Sequence, residues 1–306
     1  MIEIIATAES VEQAKQLLAA GVDTLYIGEE TFGLRLPASF SREEQQQIIT
    51  LAHEADKEVI VAVNGIMHPD KMKLVPEYLE FLSEIEPDRI VVGDPGIIYL
   101  LQQKKTAIPF IYDGETMVTS SRQINFWAKR GAVGAVLARE VPFEEMTAMA
   151  ENLAVPVEVL VYGATCIHQS KRPLLQNYYN YTQSDEQKDK ERGLFLSEPK
   201  KEDTHYSIYE DSHGTHIFAD NDISMMNELH HLYEHGYQTW KLDGIYAPGT
   251  NFVEVAKLFV EAKSALESGG WSEASAADLQ EKINQLHPAG RGLDTGFFHL
   301  DPAKIR

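Results

Sequence analysis

Through the first 160 residues, short apolar runs alternate with longer amphipathic stretches. The runs read as strands are Ile2–Ala6, Thr24–Gly28, Glu58–Val63, Arg89–Gly93, Pro109–Tyr112, Gly134–Ala138 and Val157–Tyr162. Their hydrophobicity is nearly continuous rather than alternating, the pattern of parallel strands covered on both faces. The stretches between them read as helices. Ser10 with Gln13, Ser41 with Glu44 and Ser120 with Gln123 fit the capping box, in which side chain and backbone satisfy each other's orphan groups. Gly21, Gly131 and Gly236 stand where helices are expected to stop, because glycine enters the left-handed region without a Cβ penalty. A further strand at Thr239–Asp243 and a helix from Asn251 to Leu266 complete eight βα units. The expected fold is therefore α/β: a (β/α)8 TIM-like barrel rather than an open doubly wound sheet.

The spacing breaks once. Residues 163–221 are too long for a plain loop and read as an insertion over the barrel mouth. The insertion closes with HYSIYEDSHGTHIF, a hairpin around Asp211–Gly214. The barrel is expected to span residues 1–270, and residues 271–306 a short C-terminal tail, with a break at Pro288-Ala289-Gly290.

Charge narrows the function. Twenty-seven basic residues against 47 acidic ones leave a net charge of −20, and no basic run exceeds two residues. Such a surface repels polyanions, which disfavours unaided nucleic-acid binding. No apolar run approaches the roughly 20 residues that span a bilayer. The N-terminus MIEIIATAES lacks the basic n-region of a signal peptide, so a cytoplasmic chain with no membrane contact is expected. The single cysteine, Cys166, excludes an intrachain disulfide framework, a thiolate-rich zinc site and an iron–sulfur cluster held by this chain alone.

In a barrel of this kind chemistry sits at the C-terminal strand ends. The polar groups expected there are Thr7, Glu29 with Arg35, Asn64, Asp94, Tyr112-Asp113-Gly114-Glu115, Arg139-Glu140, Tyr162, and Lys241 through Asp243. Together they describe a polar pocket. A Schiff-base role for Lys241 would need a pKa lowered by burial, whereas Asp243 is expected to hold it charged. His231-Leu232-Tyr233-Glu234-His235 has the spacing of an inverted zincin motif. It ends its helix at Gly236, however, and reads as a helix terminus complementing the dipole; no metal site is expected. Cys166 reads as a small filler near a strand end. The sequence has no nucleophile elbow, Walker loop or dinucleotide fingerprint.

Six ordered stretches carry a further signal: LYIGEETFGLR, VAVNGIMH, VGDPGII, VLAREVPFEEM, VYGATCIHQSKRPLLQNYY and WKLDGIYAPGTNFVEVAKLF, followed by GRGLDTGFFHL. In this order they resemble the motifs of the collagenase-like peptidase family U32. The resemblance implies either a peptidase or, as in other branches, oxygen-independent hydroxylation of RNA, including the tRNA wobble uridine with prephenate as co-substrate. Those branches carry four cysteines for an iron–sulfur cluster. Cys166 corresponds to the first and the others are missing, as is the arginine expected in place of Ile245 after Lys241-Leu242-Asp243-Gly244. The chain is similar to short, cysteine-poor paralogues that accompany a cysteine-complete member. It is thus expected to bind no cofactor alone, to work in a hetero-oligomer with that paralogue, and to meet tRNA through the complex. Carried over, the family pattern gives Arg139, Glu140 and Asp94 as catalytic candidates. Arg35, Asn64, Arg172, Ser170, Asn177, Lys241 and Asp243 are the substrate-binding candidates. Arginines 35, 139 and 172 would pair a carboxylate bidentately. A non-catalytic scaffold is the remaining alternative.

Overall fold

The structure is a computed structural model describing residues 1–104, 108–114 and 118–304, with Lys104 and Glu202 described by backbone alone. Eight parallel strands close a barrel: β1 (Glu3–Thr7), β2 (Thr24–Gly28), β3 (Glu58–Val63), β4 (Arg89–Val92), β5 (Phe110–Tyr112), β6 (Ala132–Val136), β7 (Val157–Gly163) and, after the insertion, β13 (Thr239–Leu242). The insertion contributes β8 (Cys166–Ser170), β9 (Phe195–Glu198), β10 (Lys201–Asp211) and β11 (Gly214–Phe218), and β12 (Asn221–Ser224) follows it. Closure comes from β13, which pairs with both β1 and β7.

Helices α1 (Val11–Ala20), α2 (Arg42–Glu54), α3 (Pro69–Met72), α4 (Val75–Ile85), α5 (Pro95–Lys104), α6 (Ser121–Ala128) and α7 (Phe143–Ala150) fill the crossovers. The insertion carries α8 (Leu174–Thr182), and α9 (Leu229–Glu234), α10 (Thr250–Ser268) and α11 (Glu273–Leu286) complete the chain. Ser41 and Glu44 form the full capping box. Gln13 and Gln123 reach one residue further back, to the N–H groups of Glu9 and Thr119, so those two caps are one-sided at the serine. Gly21, Gly131 and Gly236 all take positive φ.

Strand β6 begins two residues earlier than its apolar run suggested. The run AVGAVLA is uniformly apolar, so periodicity cannot choose a frame; pairing of Phe110 with Ala132 chooses it, and the register then shifts. Inside the barrel Ile5, Tyr26, Ile60, Ala62, Val91 and Ile111 pack on one another, while the larger core lies between strands and helices.

The insertion folds as a four-stranded antiparallel sheet in the order β8-β11-β10-β9. Its hairpin turns at Ser212-His213, as the string had suggested. At Gly214 (φ 113°) a Cβ would meet the Ser170 carbonyl oxygen at 2.1 Å, so this close crossing admits only glycine. The sheet is tied to the C-terminal loops of the barrel. Arg35 donates to Gln169, Lys71 to Ser212, and His213 Nε2 lies 2.7 Å from the Glu30 carbonyl. Past α11, a short strand β14 (Gly292–Asp294) pairs parallel with β12, which itself runs antiparallel to the end of β7. Arg291 anchors this tail on buried Asp222 through Nε and Nη2. Among the described residues no helix is long and apolar enough to cross a membrane.

Candidate functional site at the barrel mouth

A pocket opens at the C-terminal end of the barrel, bounded by Arg35, Asn64, Asp113, Arg139, Glu140, Cys166 and Asp243. Its floor is the barrel interior, where Tyr26, Glu158 and Lys241 also reach it.

Each wall is set by a strand end. Asn64 follows β3 and is spent in both directions: its Oδ1 accepts from Leu34 N at 2.9 Å and its Nδ2 donates to Asp113 Oδ2 at 2.8 Å. It thereby holds the loop that delivers Arg35. Arg35 itself has φ 51°, a left-handed conformation that costs a non-glycine residue of order 1 kcal/mol and recurs where geometry serves a site. Arg139 leaves the strand-six loop and donates through Nη1 to the Ala164 carbonyl at 3.1 Å. Asp243 accepts from Ile245 N at 3.0 Å. Gly163 (φ 122°) lets β7 pass it closely, since a Cβ there would sit 2.3 Å from the Asp243 carbonyl oxygen.

The floor carries opposed charges that are almost fully buried. Lys241 Nζ lies 3.0 Å from the Tyr26 ring centroid and 3.8 Å from Glu158 Oε1, and Glu158 Oε2 has no hydrogen-bond partner among the described residues. Burial pushes the Lys241 ammonium below its usual pKa, against the pull of Glu158, Asp243 and Asp113. Burial likewise pushes the Glu158 carboxyl up, opposed by Lys241. Desolvation sets the direction of the shift, while Asp243 pulls towards the charged lysine, the sense expected of it. Tyr26 is pushed well above the usual phenol range, by burial first and then by Asp113, Glu158 and Asp243.

Of the expected residues, Arg35, Asn64, Arg139, Glu140, Lys241 and Asp243 meet in this pocket. Asp94 does not line it. Its Oδ2 accepts from Met67 N at 2.8 Å and its Oδ1 from Gly96 N at 2.7 Å, so it staples the loops after β3 and β4. Ser170, Arg172 and Asn177 also lie off the pocket wall. Ser170 Oγ accepts from Arg172 N at the start of α8, and Arg172 and Asn177 are exposed. The family pattern carried them to the pocket, but strand β8 takes the chain away from it. Glu115 falls outside the described residues. Cys166 is corrected from buried filler to a half-buried side chain on the pocket wall. His235 caps α9 with its Nδ1 2.9 Å from the His231 carbonyl, and both rings pack on Phe143. Tyr26 and Glu158 were missed because they lie inside strands. The legible signal was a carboxylate in the otherwise apolar run VEVLVYG.

The sequence matches Peptidase family U32 over residues 9–306. The chain belongs to this family. Among its U32 relatives is tRNA hydroxylation protein P2 of Bacillus subtilis (strain 168), 37% identical over 300 residues that cover 97% of each chain. The same organism's tRNA hydroxylation protein P1 is 24% identical over 251 residues, 79% of this chain and 58% of that one. A Pseudomonas aeruginosa crystal structure described as a dihydrodipicolinate synthetase superposes with a TM-score of 0.51 at 8% identity, covering 94% of this chain and 83% of that one. At that identity the likeness speaks for the barrel fold alone.

Proposed function

We propose that this U32 chain is a subunit of an RNA-hydroxylation system acting on the tRNA wobble uridine, and that its barrel mouth binds a small carboxylate, prephenate being the candidate co-substrate. The observation that carries the reading is the end-to-end match to tRNA hydroxylation protein P2, at 37% identity over 97% of both chains. The pocket adds chemical support. Arg35 and Arg139 line one cavity, and the hydrogen bond given above for Arg139 goes to a neutral acceptor, the Ala164 carbonyl. Planar guanidinium groups so placed favour a carboxylate ligand. Glu140 stands beside Arg139 on the pocket wall to orient it or move a proton.

The donor set of this chain does not fit an iron–sulfur cluster. Such clusters take about four thiolates, and Cys166 is the sole cysteine. Any cluster in the system belongs to a cysteine-complete partner, for which a protein like P1 is the natural candidate. With a net charge of −20, this chain is expected to bind tRNA weakly by itself and to reach it through the complex. The test is deletion of the gene followed by mass spectrometry of tRNA nucleosides. Loss of the hydroxylated wobble uridine, restored by the wild-type gene but not by Arg139→Ala, is the expected result. An unchanged nucleoside profile overturns the reading.

A further inference from the structure

Beside the pocket, one face of the insertion sheet gathers a set of groups that the reading above leaves unused. Strand β11 pairs with β8 so that Phe218 opposes Cys166, and with β10 so that Tyr209 opposes His216. Side chains two apart on a strand share a face, and opposed side chains share it too. The register shifts between Ile217 and Phe218, which turns Cys166 to the face of His216, and there Cys166 packs with Tyr209 and Phe218. The His216 side chain has no exposed surface, and its Nε2 lies 2.9 Å from Asp211 Oδ1. Its ring stacks on Tyr209, with centroids 4.9 Å apart. The other ring nitrogen, Nδ1, is buried and, among the described residues, has no hydrogen-bond partner of good geometry. A buried ring nitrogen left bare calls for an explanation, and the side chain that interacts with this ring from β8 is Cys166, which also lines the barrel-mouth pocket.

We propose that Cys166, His216 and Asp211 form a nucleophilic thiol relay on the wall of the barrel-mouth pocket, directed at a small carboxylate that bears an electrophilic carbon. The carboxylate half of this proposal rests on the function proposed above; the nucleophile half does not. Asp211 accepts from Nε2–H, which leaves Nδ1 as the base that takes the Sγ proton. The sulfur electron pair then forms a C–S bond with the electrophilic carbon. With an unsaturated carboxylate the displaced pair ends on the adjacent carbon, which recovers the proton from the imidazolium, so no oxidant or leaving group is needed. At present Sγ donates to the His168 carbonyl at 3.3 Å, and rotation about the Cβ–Sγ bond redirects that proton.

The charged and titratable groups around the relay are Asp211 and Tyr209 from β10, His213 from the hairpin turn, Arg35 from the loop after β2, and Tyr246 from the loop after β13. Burial alone would lower the His216 pKa, but the Asp211 carboxylate and the Cys166 side chain reverse this and raise it. An imidazolium held in this way favours an adjacent thiolate.

The experiment is alkylation of the intact chain at pH 6, followed by mass spectrometry, with iodoacetamide and iodoacetate as probes. In both reactions Sγ displaces iodide and the thiol proton passes to His216 and then to water. Because Cys166 is the sole cysteine, the urea-unfolded chain is an internal reference for an ordinary thiol. The native chain is expected to react with iodoacetamide about tenfold faster than the unfolded one, the lower nucleophilicity of a low-pKa thiolate offsetting part of its larger population. Asp211→Asn and His216→Gln should each remove that advantage, with circular dichroism confirming the fold. A native rate equal to or below the unfolded rate overturns the relay, and so does an advantage that survives both substitutions. Iodoacetate should be preferred over iodoacetamide in the native chain relative to the unfolded one, and Arg139→Ala should erase the preference. Fast reaction with no preference overturns the carboxylate half and leaves the nucleophile standing.

Discussion

At the N-terminal end of the barrel, Arg89 is held by Glu3, Glu58 and Thr24, all of them first residues of their strands. At the C-terminal end, Arg139 donates to a backbone carbonyl and, among the described residues, forms no ion pair. The same residue type thus does different work at the two ends. The lower guanidinium is held through both Nη groups by carboxylates and Thr24, which pins four strand starts together, while its Nε is buried without a partner among the described residues. The upper one faces a cavity with donors to spare. Between the two ends lies the buried Lys241–Glu158 pair, too loosely joined to satisfy both oxygens of Glu158. Charge in this barrel supports the fold where it is paired and becomes available to a ligand where it is not.

The largest effect is expected midway. Lys241→Met leaves Glu158 buried without its counter-charge and should cost about 3–5 kcal/mol in urea unfolding. Adding Glu158→Leu should recover most of that loss, because a buried pair replaced by apolar groups is often neutral. A small loss in the single variant would mean that water reaches the floor. At the lower end, Arg89→Ala should cost about 2 kcal/mol, since part-buried Glu3 and exposed Glu58 both lose charge-assisted hydrogen bonds. At the upper end, Arg139→Ala should leave unfolding within about 0.5 kcal/mol of wild type. It should nevertheless lower hydroxylation in vivo by about tenfold or more, the value of one charge-assisted contact. If Arg139→Ala destabilises as much as Arg89→Ala, the contrast between the two ends fails.

The smallest effect concerns pH and the sheet over the mouth. His216 has a raised folded-state pKa, so its stabilising contribution is fully present below about pH 6.5, its unfolded value, and is lost as pH rises through the folded value. The gap in thermal midpoint between wild type and His216→Gln should therefore be wider at pH 6 than at pH 8. The difference should be about 1 kcal/mol or less, and thermal melts at the two pH values measure it. A gap that widens towards pH 8 would show that His216 is neutral in the folded protein.

The family name says peptidase, whereas the relatives reported above carry RNA-hydroxylation names. The end-to-end likeness to tRNA hydroxylation protein P2 supports a role in RNA hydroxylation.

The parallel barrel was legible in the sequence because strands covered on both faces leave nearly continuous apolar runs, and β2 and β3 have the bounds those runs predicted. The mouth was legible for the same reason. Once strand ends are known, Arg35, Asn64, Arg139, Glu140, Lys241 and Asp243 must converge, since barrel closure brings all eight ends to one rim. Three things required the tertiary structure. Asp94 has the residue type and position of a site group, and only its two backbone donors reveal a loop staple. Glu158 and Tyr26 face inward, and a run covered on both faces has no alternation to say which residues do. His216 and Asp211 lie some fifty residues from Cys166 along the chain, and the register of an antiparallel sheet sets them beside it. Local pattern determines where chain segments begin and end. Which side chains then share a dry space depends on pairings between distant segments, and those are decided by the packing of the whole.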